Sequence, residues 1–510
     1  MVLVIHLLGE IFLSFILVVS CAFYTFASDE DISEKVDYEI EAQLETKEKI
    51  IVGNEIITWT NNSDRPLEAV YINLYMNAYK DKDTLFIKEF LKEIENRNGK
   101  EARDLFLKEA RWGQISILSI QLEGEDVSLN YTNINETVVR VELSRSFSPK
   151  ELIRLRIKFI TKLPKIILRT GYLDDFYLAS LWYPKLTAFH KDEWKYYPFY
   201  PWSEFFSNFG TYKVWIKVPG DFIVGASGEC LDSYNNHDGT KILYFNIKNI
   251  HDFVWVASPH FKTLTSSFGN SKINILYQAT DQKRAEEFLQ IVRDGLQYLS
   301  ETIAPYPYPI FTLVEPPGGV PGATGIEFPL LVTASLMPPP FPFNDSILKA
   351  HLYHEISHQY WYGVVANNEV EDAWLDEGIA SYYAEKLTHH FDENNAYLWN
   401  DGKVKIGLAD LRRAFYIENL ADGPTKKYPW EFKDWKSYYA HNYAKPVLLL
   451  MTLENYFGKE KVELFLKAFY VKWKFRHPNT EDWFDSLKEF FPKYFINFFQ
   501  SMIFENEYLL

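Results

Sequence analysis

The chain is poor in cysteine and short of positive charge. Cys21 and Cys230 are the only cysteines in 510 residues, too few for a disulfide framework or a cysteine-built metal site. If Cys21 leaves with a leader, Cys230 stands alone, and its expected role is that of a small core residue. Lys and Arg number 53 against 69 Asp and Glu, a formal net charge of -16. Phosphate backbones bind to basic surface, so this balance argues against a nucleic-acid partner. The glycines between Gly318 and Gly325 are not followed by Gly-Lys-Ser/Thr, so this stretch is not a phosphate loop. The first ten residues carry neither Lys nor Arg, so the basic start of an ordinary export signal is missing too.

Apolar residues make up 47% of the chain and aromatics 17%, enough to build large cores and to line a cleft. At this length two or three domains are expected. Ile11 to Ala27 is an uncharged, mostly apolar run, with Asp29, Glu30 and Asp31 directly after it and Ala27-Ser28 as small residues for cleavage. Residues 1–28 are therefore expected to be an export signal or a single membrane anchor, with residues 11–27 as a possible tether. That places the rest of the chain outside the cytoplasmic membrane; the alternative is a buried N-terminal helix in a cytoplasmic protein.

From residue 35 to 262 the pattern has period two. Tyr38–Leu44, Ile51–Trp59, Val139–Leu143, Leu152–Phe159, Tyr212–Val218 and Ile242–Phe245 read as half-buried strands with Asn, Asp and Gly turns between them. The charged stretch Asp81–Glu109 reads as a helical excursion from the sheet. A β-sandwich or saddle domain follows. From 263 to 460 strands alternate with helices: Lys272–Tyr277 and Ile310–Val314 are strands, and Asp281–Thr302 carries helical spacing. Residues 461–510 complete the chain as short amphipathic helices. The fold class expected is multidomain α+β.

The chemistry concentrates at His354-Glu355-Ile356-Ser357-His358, which fits the zinc-helix pattern H-E-x-x-H. Positions i and i+4 lie one above the other on a helix, so both imidazoles reach one ion, with Glu355 beside them to act on water. A catalytic zinc needs a third protein ligand and an open position. Glu377, which follows His358 after an eighteen-residue spacer, supplies it from Trp374-Leu375-Asp376-Glu377-Gly378 at the head of a second helix. Asn344, Asp345 and Ser346 are expected to cap the first helix, starting near Ile347. His351 reads as core or as support for the site, Glu385 as solvated or supporting, and Asp376 as either a structural salt bridge or a tuning group. Upstream, Gly325 allows close approach of backbone to a ligand, and Glu327 projects into a cleft from an edge strand. Downstream, Tyr438, Tyr439 and Tyr443 are equal candidates for a cleft role by residue type.

His354 to His358, the spacer and W-L-x-E-G resemble the zinc signature of peptidase family M1, the gluzincin aminopeptidases. The resemblance extends to Leu181-Trp182-Tyr183-Pro184, Asp252-Phe253 through Ser258, Thr324 to Phe328, Tyr443-Ala444-Lys445 and Asn479 to Asp482, and covers about residues 36 to 504. It implies a thermolysin-like α/β zinc peptidase domain behind the β-rich domain. It also implies a short member without the large C-terminal helical domain, binding one Zn2+ per chain. The implied roles are His354, His358 and Glu377 as metal ligands, Glu355 as proton carrier, Tyr443 as hydrogen-bond donor to the tetrahedral intermediate, and Glu327 with Gly325 as the substrate strand. The family's glutamate at this place binds a free amino group, so the expected partner is a peptide with a free N-terminus. Pro446 and Phe328 depart from the family pattern, and no residue of the N-terminal half is assigned as a second amine-binding group. The runners-up are a zinc endopeptidase on the same fold and a non-enzymatic peptide-binding or chaperone-like protein on a decayed one.

Overall fold

The computed structural model describes residues 35–131, 137–277, 282–319, 322–335, 345–391, 397–400 and 403–505. The segment expected to direct export or anchoring lies outside the described residues. Among the described residues no helix is long and apolar enough to cross a membrane.

Strand Val36–Glu45 alternates buried and exposed side chains along its length, as a period-two sequence with one face on a core must. It runs antiparallel to Ile50–Thr60 and parallel to Gly210–Pro219, with Val36 opposite both Trp59 and Gly210. These strands lie inside an eight-stranded sheet, flanked by Leu152–Lys162 and Gln114–Leu122 on one side and by Thr240–Ile250 and Cys230–Asn235 on the other. Cys230 departs from expectation. All six residues of its strand are exposed because that strand is outermost. The thiol donates to the Asp232 carbonyl at 3.2 Å rather than packing in a core.

A second layer contains the small sheet of Gly171–Leu173, Phe176–Ala179, Trp255–Ser258 and Ile223–Ala226. The two aromatic stretches of the N-terminal half meet in this region. Trp182 Nε1 donates to the Phe253 carbonyl at 2.9 Å, and the Tyr183 hydroxyl donates to Asp252 at 2.8 Å. Phe176, Leu178, Val254 and Val256 then share one apolar cluster with Leu276, Val314, Ile326, Phe328 and Leu331 of the next sheet. The β-rich half is thereby packed directly on the sheet that carries the site.

That sheet has five strands, in the order Lys262–Phe268, Ser271–Tyr277, Ile310–Val314, Leu331–Thr333 and Ile326–Phe328, the last an antiparallel edge. The helices that matter below are α1 (Leu85–Glu109), α2 (Gln282–Thr302), α3 (Asp345–Ser357), α4 (Trp374–Phe391), α5 (Leu408–Glu418), α6 (Trp435–Tyr439) and α7 (Lys445–Phe457). Helix α1 is the excursion expected from the charged run. Helix α3 starts at Asp345, two residues before the expected Ile347; the expected capping side chains lie outside the described ones. The late helix Thr480–Leu487 is capped by Asn479, whose side chain accepts from Asp482 N–H while Asp482 accepts from Asn479 N–H.

Candidate active site

Helix α3 aims one face at a cavity of about 1040 Å³ and lines it with His351, His354 and Glu355. His358 is one residue past the last helical residue, yet its N–H still bonds the His354 carbonyl at 3.2 Å, so the i, i+4 stacking persists. The two Nε2 atoms are 3.0 Å apart. Glu377 enters from the first turn of α4, its Oε2 3.1 Å from His354 Nε2 and 3.3 Å from His358 Nε2.

The hydrogen bonds on the outer side of this triangle decide what it is for. His358 Nδ1 faces the Trp361 carbonyl at 3.0 Å. A carbonyl only accepts, so Nδ1 carries the proton and Nε2 turns a lone pair inward. Ser381 Oγ lies 3.3 Å from His354 Nδ1 and can accept its proton in the same way. Two imidazole lone pairs and a carboxylate then converge on one point, an arrangement that requires a cation. A tetrahedral zinc holding N and O ligands at about 2.0–2.1 Å sets them about 3.3 Å apart, which is the size of this triangle. The residues therefore fit zinc.

Burial and neighbouring charge act strongly here. Burial, aided by His358, brings the His354 imidazole down to about 4. Burial pushes Glu377 up, but hydrogen bonds from His354 and His358 outweigh it and hold the carboxyl well below the usual range. Glu355 is raised by burial and by Glu327. Asp376 is fully buried, receives Asn367 Nδ2 at 2.8 Å, and stands 4.0 Å from His358 Nδ1. Burial and the Glu377 charge raise it to about 7.

Tyr443 reaches the same point from the opposite side, donating to Glu377 Oε1 at 2.5 Å. Its backbone explains how. Between α6 and α7 the chain forms a π turn, Ala440–Ala444, in which Lys445 N–H bonds Ala440 O, five residues back. Pro446 follows in the first turn of α7 and has no N–H to give. Tyr443 lies within this wider turn, with its hydroxyl against Glu377. Pro446 packs on Gly378, where any Cβ would come within 2.4 Å of the proline Cβ. The departure at Pro446 is thus matched by the glycine that follows the metal ligand. Of the other two tyrosines, Tyr438 is buried among Trp202 and Phe432, while Tyr439 lines the cavity and stacks on Tyr443 at 4.9 Å.

Glu327 lies on the edge strand, with a carboxylate oxygen within 4.8 Å of ligand atoms of both Glu355 and His358. Gly325 has φ +70°, and a Cβ there would come within 2.1 Å of His351 Nε2. The neighbour that excludes a side chain at Gly325 is thus His351. His351 itself is not in the core: its side chain is 54% exposed and its Nε2 stands 3.5 Å from Glu355 Oε1. Glu385 is buried, not solvated, and faces His389 at 3.3 Å and Arg412 at 3.7 Å.

Two cavity residues escaped the sequence reading. Glu204 is buried beside Glu327 and Glu369, with carboxylate oxygens all within 4.8 Å, and it pairs with Arg169. Burial raises Glu204 to about 8, against the pull of Arg169. Both residues come from loops of the β-rich half. The only cue was an acid set directly after the aromatic run Tyr196 to Trp202.

Residues 345–502 match the model of the Peptidase family M1 domain. Leucine aminopeptidase 2 of Lodderomyces elongisporus is 25% identical over 228 residues, 40% of this chain and 34% of that protein. Leukotriene A-4 hydrolase of Xenopus laevis is 26% identical over 203 residues, 39% of this chain and 32% of that protein. The chain thus spans about a third of the length of these curated relatives. An M1 zinc metallopeptidase mutant from Deinococcus radiodurans, solved with a Tyr-Ser-Ala substrate, superposes with a TM-score of 0.60. It is 16% identical, and the match covers 94% of this chain and 95% of that one. At that identity the likeness speaks for the fold: a β-rich N-terminal domain followed by a mixed sheet-and-helix catalytic region. The matched segment, in which this chain is similar to the Peptidase family M1 domain, contains His354, Glu355, His358, Glu377 and Tyr443.

Proposed function

We propose that the chain is a zinc aminopeptidase that removes N-terminal residues from peptides. The observation that carries this is the triangle of His354 Nε2, His358 Nε2 and Glu377 Oε2, closed to 3.0–3.3 Å with Glu355 alongside. His354, His358 and Glu377 would hold the ion, which when bound supplies Lewis acidity for the scissile carbonyl and the attacking water. Glu355 takes the proton from that water and returns it to the leaving amine. The Tyr443 hydroxyl donates to the oxygen that gains charge as the carbonyl becomes tetrahedral.

Glu327 and Glu204 favour reading the free end of a chain. They are buried carboxyls grouped with Glu369, and Arg169 is paired to Glu204. A substrate ammonium placed among them compensates like charges that are costly to bury alone. An N-acetylated end offers no such compensation. The test is a matched pair of short peptides, one with a free amine and one acetylated, assayed with zinc-loaded protein. The expected result is a strong preference for the free amine that is largely lost in Glu327→Ala. Equal cleavage of both, or internal cuts as first products, would establish an endopeptidase instead.

A second part of the proposal concerns place. The apolar run Ile11 to Ala27 and its acidic flank support an extracytoplasmic protein, released or tethered. Cell fractionation with N-terminal sequencing checks it; full-length protein with Met1 intact in the soluble cytoplasm would overturn it.

A further inference from the structure

Helix α1 is a helical hairpin. Gly99 interrupts it at φ +84°, ψ 171°. In a straight helix Phe90 and Phe106 would be about 24 Å apart and Glu95 and Arg103 about 12 Å. The Phe90 and Phe106 ring centroids are instead 5.4 Å apart, and Arg103 donates to Glu95 at 2.7 Å. The chain therefore folds back on itself at Gly99. The hairpin is fastened at its base: Thr84 caps it, Phe86 stacks on Phe199 at 4.7 Å, and Tyr200 donates to Glu89 at 3.1 Å. Within it only Phe86 and Ile87 are buried.

Both arms turn a helical stripe towards the metal-site cavity. Phe90, Glu93, Ile94 and Arg97 line it from the first arm and Ala102, Leu105, Phe106 and Glu109 from the second, each set at helical spacing that keeps it on one face, with apolar and charged side chains side by side. Leu105 is 57% exposed. Leu105 thus offers apolar surface to whatever occupies the cleft. The opposite side is lined by Leu408, Leu411 and Tyr439, so the cleft has apolar material on both flanks of its acidic, metal-binding floor. Its volume of about 1040 Å³ reaches the upper end of the range that encloses a drug-sized molecule, leaving room for more than one amino acid.

We infer that the hairpin of residues 85–109 is the specificity wall of the cleft, selecting peptides that carry apolar side chains beyond the residue at the metal. This rests on the reading of the cavity as a peptide site. The hairpin contributes no group to the reaction; Leu105 and Ile94 bind side chains by burial of apolar surface, and the polar outer face of each arm stays in water.

The experiment measures binding and cleavage separately. Two C-terminally labelled free-amine peptides serve as probes, Ala-Ala-Phe-Leu-Phe and Ala-Ala-Ser-Asn-Ser. Affinity is read by fluorescence anisotropy on zinc-loaded protein carrying Glu355→Gln to stop turnover. Cleavage is read by mass spectrometry on the protein without that change. Adding Leu105→Asp is expected to weaken the apolar peptide about tenfold and the polar peptide less than twofold. Lys108→Asp, on the same arm but away from the cavity, is expected to leave both unchanged. Equal weakening of both peptides, or none, overturns the inference. If the apolar peptide binds in this Leu105-dependent way but is not cleaved, the wall stands and the peptidase reading fails. If both peptides are cleaved with affinities indifferent to Leu105→Asp, the wall falls and the peptidase reading stands. If neither peptide binds or is cleaved, both fall.

Discussion

At the floor of the cavity Glu355 and Glu377 are each 2% exposed, and at its rim Leu105 is 57% exposed. The floor is assembled from α3, α4 and the π turn, each tied to the next by a hydrogen bond or a close packing contact. Among the described residues the hairpin is tied to the rest of the fold near its base, through Phe86, Glu89 and Glu109. The difference separates two demands on one cleft. Chemistry needs groups fixed to within a fraction of an ångström, so its residues lie on packed helices. Selection needs a surface that meets varied side chains, and a thinly attached wall meets them at little cost in stability. Substitutions in the floor should therefore have large effects on rate or stability, and substitutions in outlying parts small ones.

The largest expected effect is Glu355→Gln. It should retain about one zinc per chain by plasma mass spectrometry yet lose about 10²–10⁴ in kcat. Retained activity would remove Glu355 from its role. Next is Tyr443→Phe, expected to lower kcat by about 10²–10³ with metal content unchanged; an unaltered kcat would move the donor elsewhere, Tyr439 being the neighbour to try. Gly378→Ala should cost about 1–3 kcal/mol by overpacking against Pro446, visible as an earlier denaturant midpoint. A variant as stable as the parent would show that the α4–α7 contact yields freely. The smallest effect is expected at Cys230→Ser. Its strand is outermost and exposed, so the change should stay within about 0.5 kcal/mol.

Legibility in the sequence followed the range of the interactions. His354 and His358 are one helical turn apart, and Glu377 heads the next long helix, so local periodicity sufficed to bring them together. The alternation in Val36–Glu45 and Ile50–Thr60 likewise announced strands with one buried face. Glu204 and Arg169 were not readable, because loops of the β-rich half bring them to Glu327, 123 residues after Glu204 in the chain. Cys230 was misjudged because burial depends on a strand's place in the sheet, which residue type does not encode. Of the two readings of His351, core or support for the site, the structure favours support, since it lines the cavity 3.5 Å from Glu355; a helix face turned to a cavity looks in sequence like one turned to a core. The hairpin was legible as helix but not as a reversal; Gly99, amid a charged run, was the only mark of it.

The parallel pairing of Val36–Glu45 with Gly210–Pro219 has a consequence in time. The first described strand lies inside its sheet, but one of its two neighbours ends at Pro219. At about 5–20 residues per second, a ribosome that has finished Glu45 needs roughly 9–35 s more to reach Pro219. Throughout that interval the strand can zip onto Ile50–Thr60 but offers its other edge to any strand nearby. Such an open edge is a template for pairing with other chains. A nascent chain of this protein therefore carries an aggregation risk early, before any part of the metal site has been synthesised. That risk ends when the sheet closes around its first strand.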